Sequence, residues 1–275
     1  VSIDDQEMTA AENSERCTAK INVIRRPSGV VEPDIVAVEG PLEILVEDSP
    51  FAITMRTPGN DIELVTGFLF SEGCVEEIED ISAIEAIGKN SVHVRFASGI
   101  SLDADRVMSA HRSRYASSAC GVCSRETIDQ LMDNLKPMAP TEPVDSKILQ
   151  SLPTLMRVAQ KAFEETGGIH AAALFDIKGD FIVLREDIGR HNAVDKVIGW
   201  CLSQDDFELE STILLVSGRI GFEIVQKAAV ARIPVLAAIG APSSMAVELA
   251  LSIGMQMYGF LSDSRCNQYS PLVRG

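Results

Sequence analysis

Cys120 and Cys123 are the residues in this chain best suited to covalent chemistry. They sit three positions apart in the run Ser117-Ser118-Ala119-Cys120-Gly121-Val122-Cys123-Ser124. His111, Arg112, Arg114 and Arg125 lie within ten residues of them. Nearby positive charge favours thiolate over thiol, and the thiolate is the nucleophile. After Cys123 the apolar residues Ile128, Leu131, Met132 and Leu135 recur at helical spacing. Ser124 is placed to cap that helix. The thiols then lie near the positive end of a helix dipole, which lowers their pKa further. The stretch reads as a reactive cysteine loop.

Other uses of a Cys-x-x-Cys pair fit less well. A zinc site wants four ligands; no second Cys-x-x-Cys exists, and His111 supplies at most a third. A thioredoxin-like pair expects an early strand before the motif, and none is read there. A zinc deaminase needs His-x-Glu ahead of its cysteines; here His170-Ala171-Ala172 lacks the glutamate and follows them. The four isolated cysteines, Cys17, Cys74, Cys201 and Cys266, read as ordinary and mostly buried.

The loop must be held by something. The 275 residues, 46% hydrophobic and 23% charged, suit an ordinary globular protein of one or two domains. The net charge of −16 argues against nonspecific nucleic-acid binding. No apolar run is long enough for a membrane span, and the acidic, polar start does not resemble a secretory signal. The expectation is a cytoplasmic protein.

In order, residues 1–19 read as a disordered acidic tail and 20–110 as a small strand-rich α+β domain. Short strands at Ile35–Val38, Leu42–Val46 and Phe51–Met55 precede a helix with Ile62, Val65, Phe68 and Leu69 on its apolar face. Strands at Ala83–Ile87 and Val92–Phe96 follow, with His93 on one strand face. Residues 111–145 hold the cysteine loop, its helix and a linker with three prolines between Lys136 and Pro143. Residues 146–275 read as an α/β cofactor-binding domain. One helix spans Ser146–Thr166, kinked at Pro153. Strands then alternate with helices as far as a last strand at Met255–Phe260, which predicts a mixed, largely parallel sheet.

In an open α/β sheet, ligands bind beyond the carboxyl ends of the strands. Three strand-to-helix connections there are rich in small and polar residues. They are Arg185 to Lys196 with Arg190, His191 and Asn192; Ser217-Gly218-Arg219; and Gly240 to Ser244 with Ser243. Free amides at helix starts, with Arg190, Lys196 and Arg219, suit a phosphorylated ligand. Neither a Walker A loop nor Gly-x-Gly-x-x-Gly is present.

These stretches resemble the formate dehydrogenase accessory sulfurtransferase family, the FdhD type. The resemblance rests on Thr57-Pro58-Gly59, Gly67-Phe68-Leu69 and Ser118-Ala119-Cys120-Gly121-Val122-Cys123. It continues through Thr166 to Ala172, the long block Arg185 to Lys196, Ser217-Gly218-Arg219, Ala241-Pro242-Ser243-Ser244 and Gly259-Phe260-Leu261. It implies a three-layer cytidine deaminase-like C-terminal domain without zinc, no permanently bound metal, and a homodimer. It implies a sulfurtransferase that receives sulfur from a cysteine desulfurase as a persulfide on Cys120. Cys123 matches the second cysteine, which resolves or relays the sulfur. The acceptor implied is the molybdenum (or tungsten) bis-molybdopterin guanine dinucleotide, bound as substrate, and the client is formate dehydrogenase. Phe260, Leu261, Ser262, Asp263, Ser264 and Arg265 match a cofactor loop, and His170 joins Arg190, Ser217, Gly218 and Ser243 in the expected site. Ser262 and Asp263 depart from the family pattern, as do Gly221 and Gly240 where serine is usual. The alternative is a non-catalytic cofactor-carrier chaperone. A weaker third reading is a thiol–disulfide oxidoreductase.

Overall fold

Branched aliphatic residues alternating along short segments build three sheets here, and helices cover both faces of the largest. The computed structural model describes residues 17–99, 135–139, 141–205 and 208–271. The cysteine loop, with Cys120 and Cys123, lies outside the described residues.

The first described element is a hairpin of β1 (Thr18–Arg25) and β2 (Val30–Ala37), a two-stranded sheet of its own. It begins inside the stretch read as a tail. Next come β3 (Gly40–Val46) and β4 (Ser49–Arg56), helix α1 (Asp61–Ser71), β5 (Ile81–Ile87) and β6 (Ser91–Phe96). These four strands form a sheet in the order β4-β3-β6-β5. Leu42, Ile44, Val92 and Val94 point to the face where Leu64, Val65 and Leu69 of α1 pack. The expected face of that helix is partly corrected: Ile62 is exposed. Leu64, Thr66, Gly67 and Ser71 are buried in addition, because α1 has two neighbours.

The second neighbour is α4 (Arg190–Leu202). A Cβ on Gly67 would overlap the carbonyl of Asp195, and one on Gly199 would overlap that of Glu63. The two helices cross backbone to backbone, a contact only glycine permits. The smaller sheet is thus bound to the larger unit through a shared helix.

That unit holds α2 (Ser146–Ala159), α3 (Lys161–Thr166), β7 (His170–Asp176) and β8 (Phe181–Asp187). After α4 come β9 (Thr212–Val216), α5 (Phe222–Val230), β10 (Val235–Ala238), α6 (Ser244–Ile253), β11 (Gln256–Ser262) and β12 (Arg265–Ser270). The predicted single helix at 146–166 is two helices meeting at Gln160, whose dihedrals (φ −78°, ψ 82°) leave the helical region. Pro153 stays inside α2. Gly167 closes α3 in the left-handed region at φ 64°.

The six-stranded sheet has the order β12-β11-β10-β9-β7-β8. Only β9, β10 and β11 run parallel. β7 is antiparallel to both β8 and β9, and β12 is antiparallel to β11. The expectation of a largely parallel sheet is corrected, because the tight Ile177–Asp180 connection makes β7 and β8 a hairpin. β12 was not anticipated, being short and polar. Successive side chains go to opposite faces. Ala172, Leu174, Leu214 and Leu236 meet α4, α5 and α6, while Ala173, Phe175, Ile213 and Val235 meet Leu149, Leu152 and Met156 of α2. The result is three layers.

Candidate functional site

The carboxyl ends of β8, β9, β10 and β11 share one edge of the large sheet. Antiparallel β7 brings its first residue, His170, to the same edge, opposite Asp187. Helices α4, α5 and α6 start there. The residues preceding α4 and α5 are Gly189 and Gly221, which give no side-chain cap. Ser243 caps α6 by accepting the Ala246 N–H at 3.3 Å, so its hydroxyl is already engaged. The loops are stitched together. Gly240 donates its N–H to Gly218 O at 3.2 Å, and Phe260 donates to Gly240 O at 3.0 Å. A Cβ on Gly240 would lie 2.5 Å from Gly218 O, so in this backbone the serine usual at position 240 would need a shift.

The long motif after β8 divides into two sets. One set is structural. Asp187 is fully buried and pairs with Lys196 at 2.7 Å, while it accepts N–H groups of Thr57 at 3.1 Å and Gly189 at 2.8 Å. Lys196, also buried, donates to Thr57 O at 2.9 Å. Asn192 donates to Met55 O at 2.8 Å and to Asp187 at 3.0 Å. Arg185 forms a two-pronged pair with Glu63, and Glu186 accepts the Ala162 and Phe163 N–H groups at the start of α3. These side chains lock β4 and α1 onto the large sheet. The amine of Lys196 and the amide of Asn192 therefore face protein partners. Both belong to the support of the site rather than to direct anion contact.

The other set faces the edge. Arg190 is half-buried and makes no hydrogen bond or ion pair among the described residues. A Cβ built on Gly218 would meet His170 Cε1 at 3.4 Å and Arg190 Cδ at 3.6 Å, which locates the three side by side. Burial, then the neighbouring Arg190, lowers the pKa of His170. His191 lies beside them and pairs with Glu223 through Nε2 at 3.0 Å. Burial, then Arg190, Lys227 and His170, holds its pKa down at about 3. At neutral pH both imidazoles are uncharged hydrogen-bonding groups. The fixed cations of the edge are Arg190 and the exposed Arg219. Ser217 accepts the Ala171 N–H at 2.9 Å, which ties β9 to β7.

Behind His191 lies a buried network. Lys227 contacts Asp195 at 2.9 Å, Glu72 at 3.0 Å and Ser71 at 2.8 Å. Burial works to lower the Lys227 pKa, but the two carboxylates overcome it and raise it. Burial pushes Asp195 up to about 6 against the pull of Lys227. The sequence carried no specific sign of this network, whose members come from three helices.

At the far end of the edge, Phe260 adopts a left-handed backbone at φ 54°, where β11 and β12 shift register. Such a conformation is uncommon for a bulky residue and is characteristic of functional or irregular sites. Its exposed ring lies under the Arg265 guanidinium, 4.5 Å from the centroid. Leu261, expected in the cofactor loop, is a core residue instead. Ser262 accepts the Ser264 N–H at 3.4 Å across the turn. Asp263 lines a shallow surface depression together with Lys147, Gln150 and Ser151 of α2.

Of the cysteines described, Cys74 and Cys201 are buried, and Cys17 and Cys266 are half-buried. Burial pushes the Cys201 thiol up to about 12 and also raises Cys266. Neither is poised as a thiolate. Among the described residues, no group of three or more His, Cys, Asp or Glu is placed to hold a metal ion. No described helix is long and apolar enough to cross a membrane.

A family model described as the FdhD/NarQ family matches residues 37–274. A curated relative from Streptomyces coelicolor, named sulfur carrier protein FdhD, is 43% identical over 269 residues, covering 93% of this chain and 94% of that one. The protein of the same name from Mycobacterium tuberculosis is 43% identical over 256 residues, covering 88% and 91%. Among solved structures, one described as a formate dehydrogenase accessory protein from Desulfotalea psychrophila superposes with a TM-score of 0.71. It is 24% identical and covers 93% of this chain and 97% of its own. That likeness supports the fold alone.

Proposed function

This chain belongs to the FdhD/NarQ family, and from that premise we propose that it is a sulfur carrier in formate dehydrogenase maturation, working through a persulfide on Cys120. The Cys120 thiolate attacks the outer sulfur of a persulfide on a cysteine desulfurase. A new S–S bond forms on Cys120, the donor's S–S bond breaks, and the donor leaves as a thiolate. Cys123 then attacks the inner sulfur of the Cys120 persulfide. A Cys120–Cys123 disulfide forms and hydrosulfide departs, so the two thiols supply the electrons that reduce the sulfane sulfur. The acceptor is the molybdenum (or tungsten) bis-molybdopterin guanine dinucleotide, handled as substrate. The protein acts in the cytoplasm as a homodimer.

The observation that carries the cofactor half of this reading is Arg190, without a hydrogen-bond or ion-pair partner among the described residues, beside neutral His170 and exposed Arg219. A half-buried guanidinium in no ion pair among the described residues, though near enough to Glu223 to act on its carboxyl, is suited to bind an anion, and a pyrophosphate is a bidentate match for arginine. The first-turn amides of α4 and α5, which receive no side-chain cap from Gly189 or Gly221, add partial positive charge at the same edge. The exposed Phe260 ring and Arg265 extend that surface for the heterocycles of the ligand. What supports the sulfur half is the naming of the relatives and the electropositive sequence around Cys120.

The test is mass spectrometry of the Cys120 peptide after incubation with a cysteine desulfurase and free cysteine. One additional sulfur, removed by reductant and absent in Cys120→Ala, is the expected result. An unmodified peptide in a protein that still binds the cofactor would replace this reading with the carrier-chaperone one.

A further inference from the structure

The β1–β2 hairpin forms a separate sheet and joins neither of the other two. A two-stranded ribbon alone is marginal in water. This one also exposes four branched aliphatics: Ile21 at 44%, Ile24 at 56%, Val30 at 55% and Val31 at 63%. Its base rests near α3, where Thr18 donates to Glu165 at 3.1 Å.

The two long edges of the ribbon differ. The register runs without a shift from Thr18 opposite Ala37 to Arg25 opposite Val30. Val38 donates to Cys17 O at 2.9 Å, and Gly29 donates to Arg25 O at 2.8 Å. These bonds assign the odd-numbered residues of β1 as those bonded to β2. Pro33, opposite Asn22, falls between bonded pairs, where its missing N–H faces outward. The outer edge of β2 is thereby blocked by a proline and flanked by Glu32 and Asp34. The outer edge of β1 carries one exposed charge, Lys20, but no proline, and it pairs with no strand among the described residues. Thr18, Lys20, Asn22 and Ile24 turn their N–H and C=O groups outward, with no proline or glycine between Thr18 and Arg25.

We propose that the free edge of β1 pairs antiparallel with β1 of a second copy, joining two hairpins into one four-stranded sheet, β2-β1-β1-β2. The inference deepens the homodimer reading above and rests on it. Charge favours a second copy at this place. The whole chain carries −16, which makes copies repel. Residues 18–37 hold three cations (Lys20, Arg25, Arg26) and two carboxylates (Glu32, Asp34), a difference of +1. A pairing centred on Ile21 sets that side chain against its own copy and Lys20 opposite Asn22. No like charges then stand directly opposite each other, and the two Lys20 side chains meet only on the diagonal, where their length lets them diverge.

Sedimentation velocity on the full chain tests this. Wild type should sediment as a dimer. Asn22→Pro removes one outward N–H while leaving the β1–β2 bonds in place, and should sediment as a monomer with unchanged circular dichroism. Hydrogen exchange on the wild type gives a second readout without a variant. The amides of Lys20, Asn22 and Ile24 should be protected at dimer concentrations and exchange freely on dilution. A dimer that persists in Asn22→Pro, with those amides exchanging freely at every concentration, overturns the β1 interface while leaving a two-copy assembly elsewhere. A wild type that is monomeric throughout overturns both. Sulfur loading of Cys120, measured on the same samples, reports separately on the carrier reading.

Discussion

Asp187 and Arg190 are three residues apart, yet they live in opposite electrostatic worlds. Asp187 is wholly buried and has four protein partners: Lys196, Thr57, Gly189 and Asn192. Arg190 has no hydrogen-bonding partner among the described residues. A buried carboxylate costs heavily unless every oxygen is satisfied, and the fold supplies that satisfaction from two sheets. A half-buried guanidinium that forms no ion pair among the described residues keeps its donors for something else. The comparison shows one motif holding both a rivet and the residue proposed above as receptor. The rivet residues fix the loop, so the receptor residues need no rearrangement to meet an anion.

Breaking the rivet should have the largest effect. Lys196→Ala leaves Asp187 buried and unpaired, a loss of about 3–5 kcal/mol. Chemical denaturation should show the midpoint falling sharply. If stability stays within about 0.5 kcal/mol of wild type, Lys196 is not the structural partner the geometry indicates.

The receptor should respond in the opposite way. Arg190→Ala should weaken GDP binding at least tenfold, about 1.4 kcal/mol, in titration calorimetry. Its denaturation midpoint should hardly move. Unchanged affinity would remove Arg190 from the proposed site, and a large stability loss would erase the contrast with Lys196.

His191 stands between the two sets and sharpens the boundary by pH. Its folded pKa, about 3, lies below its ordinary value of 6.5. The unfolded state therefore takes up the proton first, so its stabilising contribution is whole above about pH 6.5 and is lost as pH falls. Between pH 7 and pH 5 wild type should lose about 1 kcal/mol more than His191→Gln, after allowance for partial exposure. Parallel pH profiles for the two proteins would show that the imidazole is not held neutral.

The smallest effect concerns the helix starts. Gly221 precedes α5 with an extended backbone and open space for a Cβ. Gly221→Ser should add a cap and raise stability by about 0.3–0.5 kcal/mol. It should also weaken anion binding slightly, because the new hydroxyl occupies an amide the ligand would use. A stabilised variant with unchanged binding would confine the anion to α4.

Periodicity made the α/β alternation from Ala171 onward readable, because strands buried on both faces must be aliphatic and each helix must show an apolar stripe. Glycines before the helices and the prolines of the linker made the loops readable. The partner of each charge was not. Arg185, Glu186, Asp187, Arg190, Asp195 and Lys196 are six ionisable residues within twelve positions. Their neighbours Glu63, Thr57, Ser71 and Lys227 lie between 32 and 139 positions away from their partners in the chain. The place of β7 was likewise hidden: the short Ile177–Asp180 turn marks a hairpin with β8, but not that β7 lies between β8 and β9.

The sequence alone determined the chemistry available: two thiols in a basic loop, an anion-friendly set of helix starts, and a family pattern covering most of the chain. These follow from residue type and short spacing, which local forces act on directly. Only the tertiary structure decided which charges are consumed by packing and which remain open. Burial is a property of distant neighbours, and desolvation makes pairing obligatory inside and optional at the edge.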